Sequence, residues 1–153
     1  MSDGIVVGVD GSDASRDALR WAADEARLRS APLVVLHAWS FVPPQPFADP
    51  AGLALPAGDL PGQLTAESDA AQFALDAAIE DALGAEPEIE VERKLAEGDA
   101  GEAIVAESAD AALVVVGSHG RTGLTAALLG SVSRHVVSHA TCPVVVVKSR
   151  SRD

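Results

Sequence analysis

Leu113-Val114-Val115-Val116-Gly117-Ser118-His119-Gly120, followed after nine residues by Gly130-Ser131-Val132-Ser133-Arg134-His135-Val136-Val137, carries the clearest strand-to-helix signal in the chain. The apolar run before Gly117 has the β-branched density of a strand buried on both faces. Val132, Val136 and Ala140 recur at helical spacing. A strand that opens through glycines onto a helix start presents bare backbone N–H groups, which is how a backbone cradles phosphate. Glycine is expected at Gly117, Gly120 and Gly130 because a Cβ would obstruct a positive-φ turn and the approach of a ligand oxygen. No acidic residue occurs from 111 to 152, so the local field favours a polyanion. The passage reads as the triphosphate or pyrophosphate site of a nucleotide-binding protein.

Working outward, strand signals fall at 5–9, 33–39, 89–95, 113–116 and 144–148. Ile89-Glu90-Val91-Glu92 alternates and predicts a half-exposed edge strand. Helical patterns separate the strands. Leu19, Ala22, Ala23 and Ala26 form one stripe, capped by Ser12 or Asp13, with Trp21 expected to pack. Leu75, Ala78, Ile79, Ala82 and Leu83 form a second, expected to start near Thr65 and stop at Gly84. Asp99-Ala100-Gly101-Glu102 reads as a capping box that opens a third helix. Strand and helix therefore alternate, which predicts an α/β fold: one doubly wound domain over 1–153, a five-stranded parallel sheet with helices on both faces. The stretch 41–62 holds six of the nine prolines and reads as a long loop, either a lid or an unstructured insertion.

Charge and cysteine content narrow the function classes. A formal charge of −12 argues against nucleic acid, whose backbone demands clustered Lys and Arg. The distribution is lopsided: fifteen acids lie from 59 to 110, whereas five bases face one acid from Gly117 onward. One cysteine, Cys142, excludes an internal disulfide and points to a reducing compartment. With no basic, apolar leader and no run of ~20 apolar residues, the expected location is cytoplasmic, with no membrane partner.

In a doubly wound sheet, ligands bind beyond the strand C-termini where strand order reverses. That rule gathers Val9, Asp10, Gly11 and Ser12 from the first strand end, Ala38 and Trp39 from the second, and Val116, Gly117 and Ser118 from the fourth. Gly11 and Ser12 could equally make a turn and a helix cap, and Val9 and Val116 could equally be core. Ser131 and Ser133 are the hydroxyls nearest the last helix start, able to cap it or to meet a phosphate. His119 lacks an activating neighbour and is read as a bystander or backbone donor. His135 and His139 are spaced to chelate a metal, but no third ligand flanks them.

The pattern Gly-x2-Gly-x9-Gly-Ser after the fourth strand resembles the ATP-binding signature of the universal stress protein family. Ile5-Val6-Val7-Gly8-Val9-Asp10-Gly11-Ser12, Leu36-His37-Ala38 and Cys142-Pro143-Val144-Val145-Val146-Val147 are similar to that family's first, second and last strand segments, in the right order. The resemblance implies an adenine nucleotide, ATP with Mg, held by Val9, Asp10, Gly11, Ser12, Ala38, Val116, Gly117, Ser118, His119, Gly120, Arg121, Gly130, Ser131, Val132 and Ser133. It would place Asp10 near the ribose or the metal-bound phosphates, and Ala38 at the adenine. It also implies a homodimer through residues 144–148 (Val144-Val145-Val146-Val147-Lys148), a hydrophobic edge that needs covering.

Rival fingerprints are missing. There is no Gly-x4-Gly-Lys-Ser/Thr and no Gly-x-Gly-x-x-Gly after the first strand, and the first loop lacks the Ser-Gly-Gly-x-Asp-Ser of ATP pyrophosphatases. Two function classes stay open: a nucleotide-holding regulatory protein of the stress response, or a slow ATPase or nucleotide-dependent transferase. Arg121 is the candidate γ-phosphate arginine for the second class, which lacks a convincing base. AMP or cyclic AMP are alternative ligands.

Overall fold

The computed structural model describes residues 3–43, 50–52, 58–120 and 129–149. Strands and helices alternate: β1 (Ile5–Gly8), α1 (Asp13–Arg29), β2 (Leu33–Trp39), α2 (Leu60–Leu83), β3 (Val91–Glu97), α3 (Ala100–Ser108), β4 (Leu113–Gly117), α4 (Ser131–His139) and β5 (Val144–Val147). All strand pairs are parallel and the sheet order is β3-β2-β1-β4-β5. Ile5 of β1 lies opposite Leu33 of β2 on one side and Leu113 of β4 on the other. The chain winds outward from β1 in one direction, then crosses back to start again at β4. Strand order thus reverses between β1 and β4, which splays the connections there and opens a crevice at the strand C-termini.

Two-residue alternation along the strands divides the core into two layers. Ile5, Val7, Leu33, Val35, Leu113 and Val115 face α1 and α2, meeting Leu19, Ala22, Leu75 and Ile79. Val6, Val34, Leu36, Val114 and Val116 face the other way, onto Ile104 of α3 and Val136 of α4. Short alanines on α1 let that helix lie close to the sheet. Gly8 does the same for α3: a Cβ there would come within 2.6 Å of Ile104 Cδ1.

Several boundaries differ from the sequence reading, each for a local reason. α2 starts at Leu60 rather than near Thr65, because Asp59 caps it by accepting from the Gly62 N–H at 3.2 Å. Pro61 is tolerated in that first turn, where its missing N–H removes no helical bond, so residues 60–62 belong to the helix and not to the loop. β3 runs two residues later than expected because all seven residues of β2 pair with it, from Leu33–Val91 to Trp39–Glu97. It is an edge strand, as its alternation implies. β1 stops at Gly8, one residue short, and β5 stops at Val147, leaving Lys148 outside. Trp21, expected to pack, is 37% exposed on α1. The parts of the proline-rich stretch at 44–49 and 53–57, and Arg121, lie outside the described residues.

Candidate functional site

Two strand-to-helix junctions meet at the reversal point. The first, after β1, closes on itself. Gly11 takes φ 81°, a left-handed turn that favours glycine. Asp10 Oδ1 accepts from the Ser12 N–H at 2.9 Å, and Ser12 Oγ accepts from the Ser15 N–H at 3.2 Å as the α1 cap. Ser15 Oγ donates to the Ser12 carbonyl, and the Asp10 N–H reaches Ser15 Oγ at 3.3 Å. Asp13 adds an acidic charge in the first turn, favourable at the positive end of the helix.

The second junction, from β4 to α4, is built differently, and its glycines act in a way the sequence reading did not foresee. None of Gly117, Gly120 and Gly130 has positive φ. Each instead sits where another part of the chain comes within about 3 Å of the place a Cβ would take. At Gly117 it would meet Ala14 backbone atoms at 2.9–3.0 Å, at Gly120 Asp10 Oδ2 at 2.7 Å, and at Gly130 the His119 Cα at 3.1 Å. The glycines therefore bring β4, α1 and the start of α4 together, and hold Asp10 against the loop.

The expectation of bare N–H groups also needs correcting in part. The Gly130 N–H donates to the Ser118 carbonyl at 2.8 Å. Ser133, 2% exposed, donates its hydroxyl to both the Ser118 and Gly130 carbonyls at 3.1 Å, so that hydroxyl proton staples the loop. What remains is the start of α4 proper. α1, α2 and α3 are each capped by a side chain (Ser12, Asp59 and Asp99), whereas α4 begins at Gly130 with no side-chain cap and no acid in its first turn. The first backbone donors of a helix need an acceptor from outside it, and among the described residues no side-chain cap supplies one.

The two junctions enclose a cavity of about 340 Å³. It brings together Val9, Asp10, Ala38, Val116, Gly117, His119, Gly120, Gly130, Ser131, Val132 and Ser133. Gly11, Ser12 and Ser118 do not line it: the first two are spent on the α1 turn and cap, and Ser118 is 8% exposed with its hydroxyl 3.0 Å from His119 Nδ1. Val9 and Val116 are both wall and core, at 6% and 3% exposure. Sequence reasoning missed Gly8, Leu36, Ser15, Ala100, Ile104 and Arg134. Arg134 was findable as the one base in the first half of α4; Ala100 and Ile104 were not, because only the crossover of α3 brings them there. The cavity has an apolar end at Leu36, Ala38 and Ile104, suited to a flat ring, and a donor-rich end at α4, suited to an anion.

Trp39 does not join this crevice. Side chains alternate along β2, so Ala38 faces it while His37 and Trp39 face a separate recess under α2 with Glu67. His37 Nδ1–H donates to the Val9 carbonyl at 2.9 Å, tying the ends of β1 and β2 together. His135 and His139 stack at 4.3 Å, and His139 Nδ1–H donates to the His135 carbonyl. Burial pushes the Cys142 thiol above its usual range, outweighing the backbone hydrogen bonds of Val114 and Cys142 that lower it. Such a thiol is a poor nucleophile at neutral pH. No helix among the described residues is long and apolar enough to cross a membrane.

A family model for the Universal stress protein family matches residues 1–148. A universal stress protein of Mycolicibacterium smegmatis is 38% identical over 151 residues, which is 95% of this chain and 46% of that protein. One from Mycobacterium tuberculosis is 38% identical over 155 residues, covering 94% and 47%. The chain thus spans about half the length of the curated relatives it matches. Among solved structures, a universal stress protein in complex with cAMP superposes with a TM-score of 0.65 at 26% identity, covering 97% of this chain and 98% of the other. The Archaeoglobus fulgidus universal stress protein in complex with dAMP gives 0.56 at 28%, covering 95% and 97%.

Proposed function

Because this chain belongs to the universal stress protein family, we propose that it is a regulatory protein that holds an adenine nucleotide in the crevice between β1 and β4. One observation carries the reading: the cavity at the strand reversal ends on the single described helix that starts without a side-chain cap. An anionic group at that position would accept from the first N–H groups of α4 and meet the positive end of its dipole. The apolar end at Leu36 and Ala38 would take the base, with the Ser131 hydroxyl beside the phosphates. The cAMP and dAMP complexes of similar proteins support an adenine ligand.

ATP is the form proposed, with Mg arriving on its phosphates. Asp10 fits that role as a hard oxygen ligand held against Gly120. No group of three or more His, Cys, Asp or Glu forms among the described residues, so the phosphates would provide most of the coordination. Binding rather than turnover is proposed. The Asp10 carboxylate, the one acid among the described residues of the cavity lining, is engaged through Oδ1 with the Ser12 N–H. We place the domain over 1–153, in the cytoplasm, and assign the β5 edge to a second copy of the chain. Val145→Lys should then shift the light-scattering mass from dimer to monomer; a monomeric wild type would remove the dimer.

The test of function is mass spectrometry of the nucleotide that co-purifies, followed by calorimetric titration of ATP, AMP and cAMP into stripped protein. Micromolar binding of one of them is expected, since three or four charge-assisted hydrogen bonds of roughly 1.5–3 kcal/mol each exceed the ordering losses. Failure of all three to bind a folded protein would end the reading. ATP turnover in the ordinary enzyme range of ~1–1000 per second, lost on Asp10→Ala, would replace it with an enzyme.

A further inference from the structure

Resting on the nucleotide reading of the crevice, we infer that Arg134 is the residue that sets how many phosphates the ligand carries, favouring a triphosphate over a monophosphate. Arg134 lines the cavity at its α4 end with His119, Gly130 and Ser131. Its guanidinium is anchored there, donating from Nη2 to the Leu129 carbonyl at 3.0 Å. That single bond turns the side chain back along α4 toward the helix start and leaves its other N–H donors for a ligand.

The charge balance argues the same way. Among the described residues Arg16, Arg27, Arg29 and Arg93 are each paired with a carboxylate, whereas Arg134, like Arg20, has no ion pair, and of those two only Arg134 lines the cavity. A cation near a helix N-terminus opposes the helix dipole. With no acid anywhere from 111 to 152, the local sequence offers nothing to offset it. An anion bound at the start of α4 would neutralise both the guanidinium and the dipole. The first phosphate, next to the nucleoside, is met by the α4 N–H groups and Ser131. Arg134 is three residues further along the helix, on its exposed side, and so addresses the outer phosphates. A planar fork also suits two phosphate oxygens at once.

The experiment titrates ATP, AMP and adenosine into stripped wild type, Arg134→Gln and Arg134→Lys. Inorganic tripolyphosphate serves as a probe without a base, read as a rise in melting temperature. Circular dichroism melts of the unliganded proteins control for folding. Arg134→Gln should weaken ATP about tenfold while AMP and adenosine change less than about twofold, with Arg134→Lys in between. Tripolyphosphate should stabilise wild type and not Arg134→Gln. An equal loss for all three adenine ligands would make Arg134 a loop anchor acting through Leu129, and unchanged ATP affinity would leave it no role; either result overturns the inference. If adenosine and AMP do not bind but tripolyphosphate protects wild type alone, the adenine reading fails and the Arg134 assignment stands. If the nucleotides bind with the same ATP-to-AMP ratio in every variant, the reverse holds.

Discussion

The start of α1 and the start of α4 lie side by side at the same reversal of strand order, yet one is complete and the other is open. At α1 the chain supplies everything. Ser12 caps, Asp10 holds the turn, and Asp13 answers the dipole. At α4 the cap position is Gly130, the first turn has no acid, and the helix itself brings the positive Arg134 into the cavity lining. Two helices of one fold, reached by the same kind of connection, thus differ in whether a capping side chain meets their first N–H groups. A helix start left to solvent forgoes the stabilisation a capping side chain gives, and it is open to an anion instead.

The largest expected effect comes from closing the open end. Gly130→Glu puts a carboxylate at the anion position and a Cβ 3.1 Å from His119 Cα. Its φ of −65° suits any residue, so the fold should survive. Calorimetry should show nucleotide affinity falling by about a hundredfold or more, with the circular dichroism spectrum retained. Unchanged affinity would break the contrast between the two helix starts.

Gly117→Ala should do the opposite, lowering stability and sparing the site. Its Cβ would strike the Ala14 backbone of α1 at 2.9 Å rather than enter the crevice. Overpacking of this kind costs about 1–3 kcal/mol, and each kcal/mol lowers the melting temperature by roughly 2–4 °C in a domain this size. A calorimetric melt should show the drop, and affinity measured well below it should change little. Loss of binding without loss of stability would mean that Gly117 serves the ligand directly.

A pair of serine deletions is subtler. Ser12→Ala removes the α1 cap and should cost about 1 kcal/mol of stability, leaving nucleotide affinity alone. Ser131→Ala should leave the melting temperature of the free protein unchanged and weaken nucleotide binding about fivefold, the loss of one net hydrogen bond. Equal stability losses in the two variants would make the helix starts equivalent.

Much of this was legible in the chain. Five strand runs alternating with helical stripes gave the parallel, doubly wound order, and the glycine spacing after β4 gave the place of the crevice. The misses have physical causes. A proline and a glycine at 61 and 62 look like a loop, but the first turn of a helix tolerates both when Asp59 caps it. Trp39 follows Ala38 in the chain, and adjacency alone assigns it to the same crevice. Strand alternation sends it to the other face of the sheet, beside His37 and under α2. Period 2 sends neighbouring side chains to opposite faces, but the local pattern does not record which helix covers which face.

Local sequence is enough to say which backbone segments are strands, which glycines stand between β4 and α4, and that no acid occurs from 111 to 152. These follow from local rules: side-chain branching, hydrophobic period and charge. Folding sets what the glycines are for. They admit Ala14, Asp10 and His119 into close contact, since a Cβ clash depends on what folding brings opposite and not on the neighbours in sequence. It also decided that Arg134 and Ile104 share a cavity with Ala38. Right-handed crossovers carry α3 and α4 back over the same sheet face, and no local pattern records where they land.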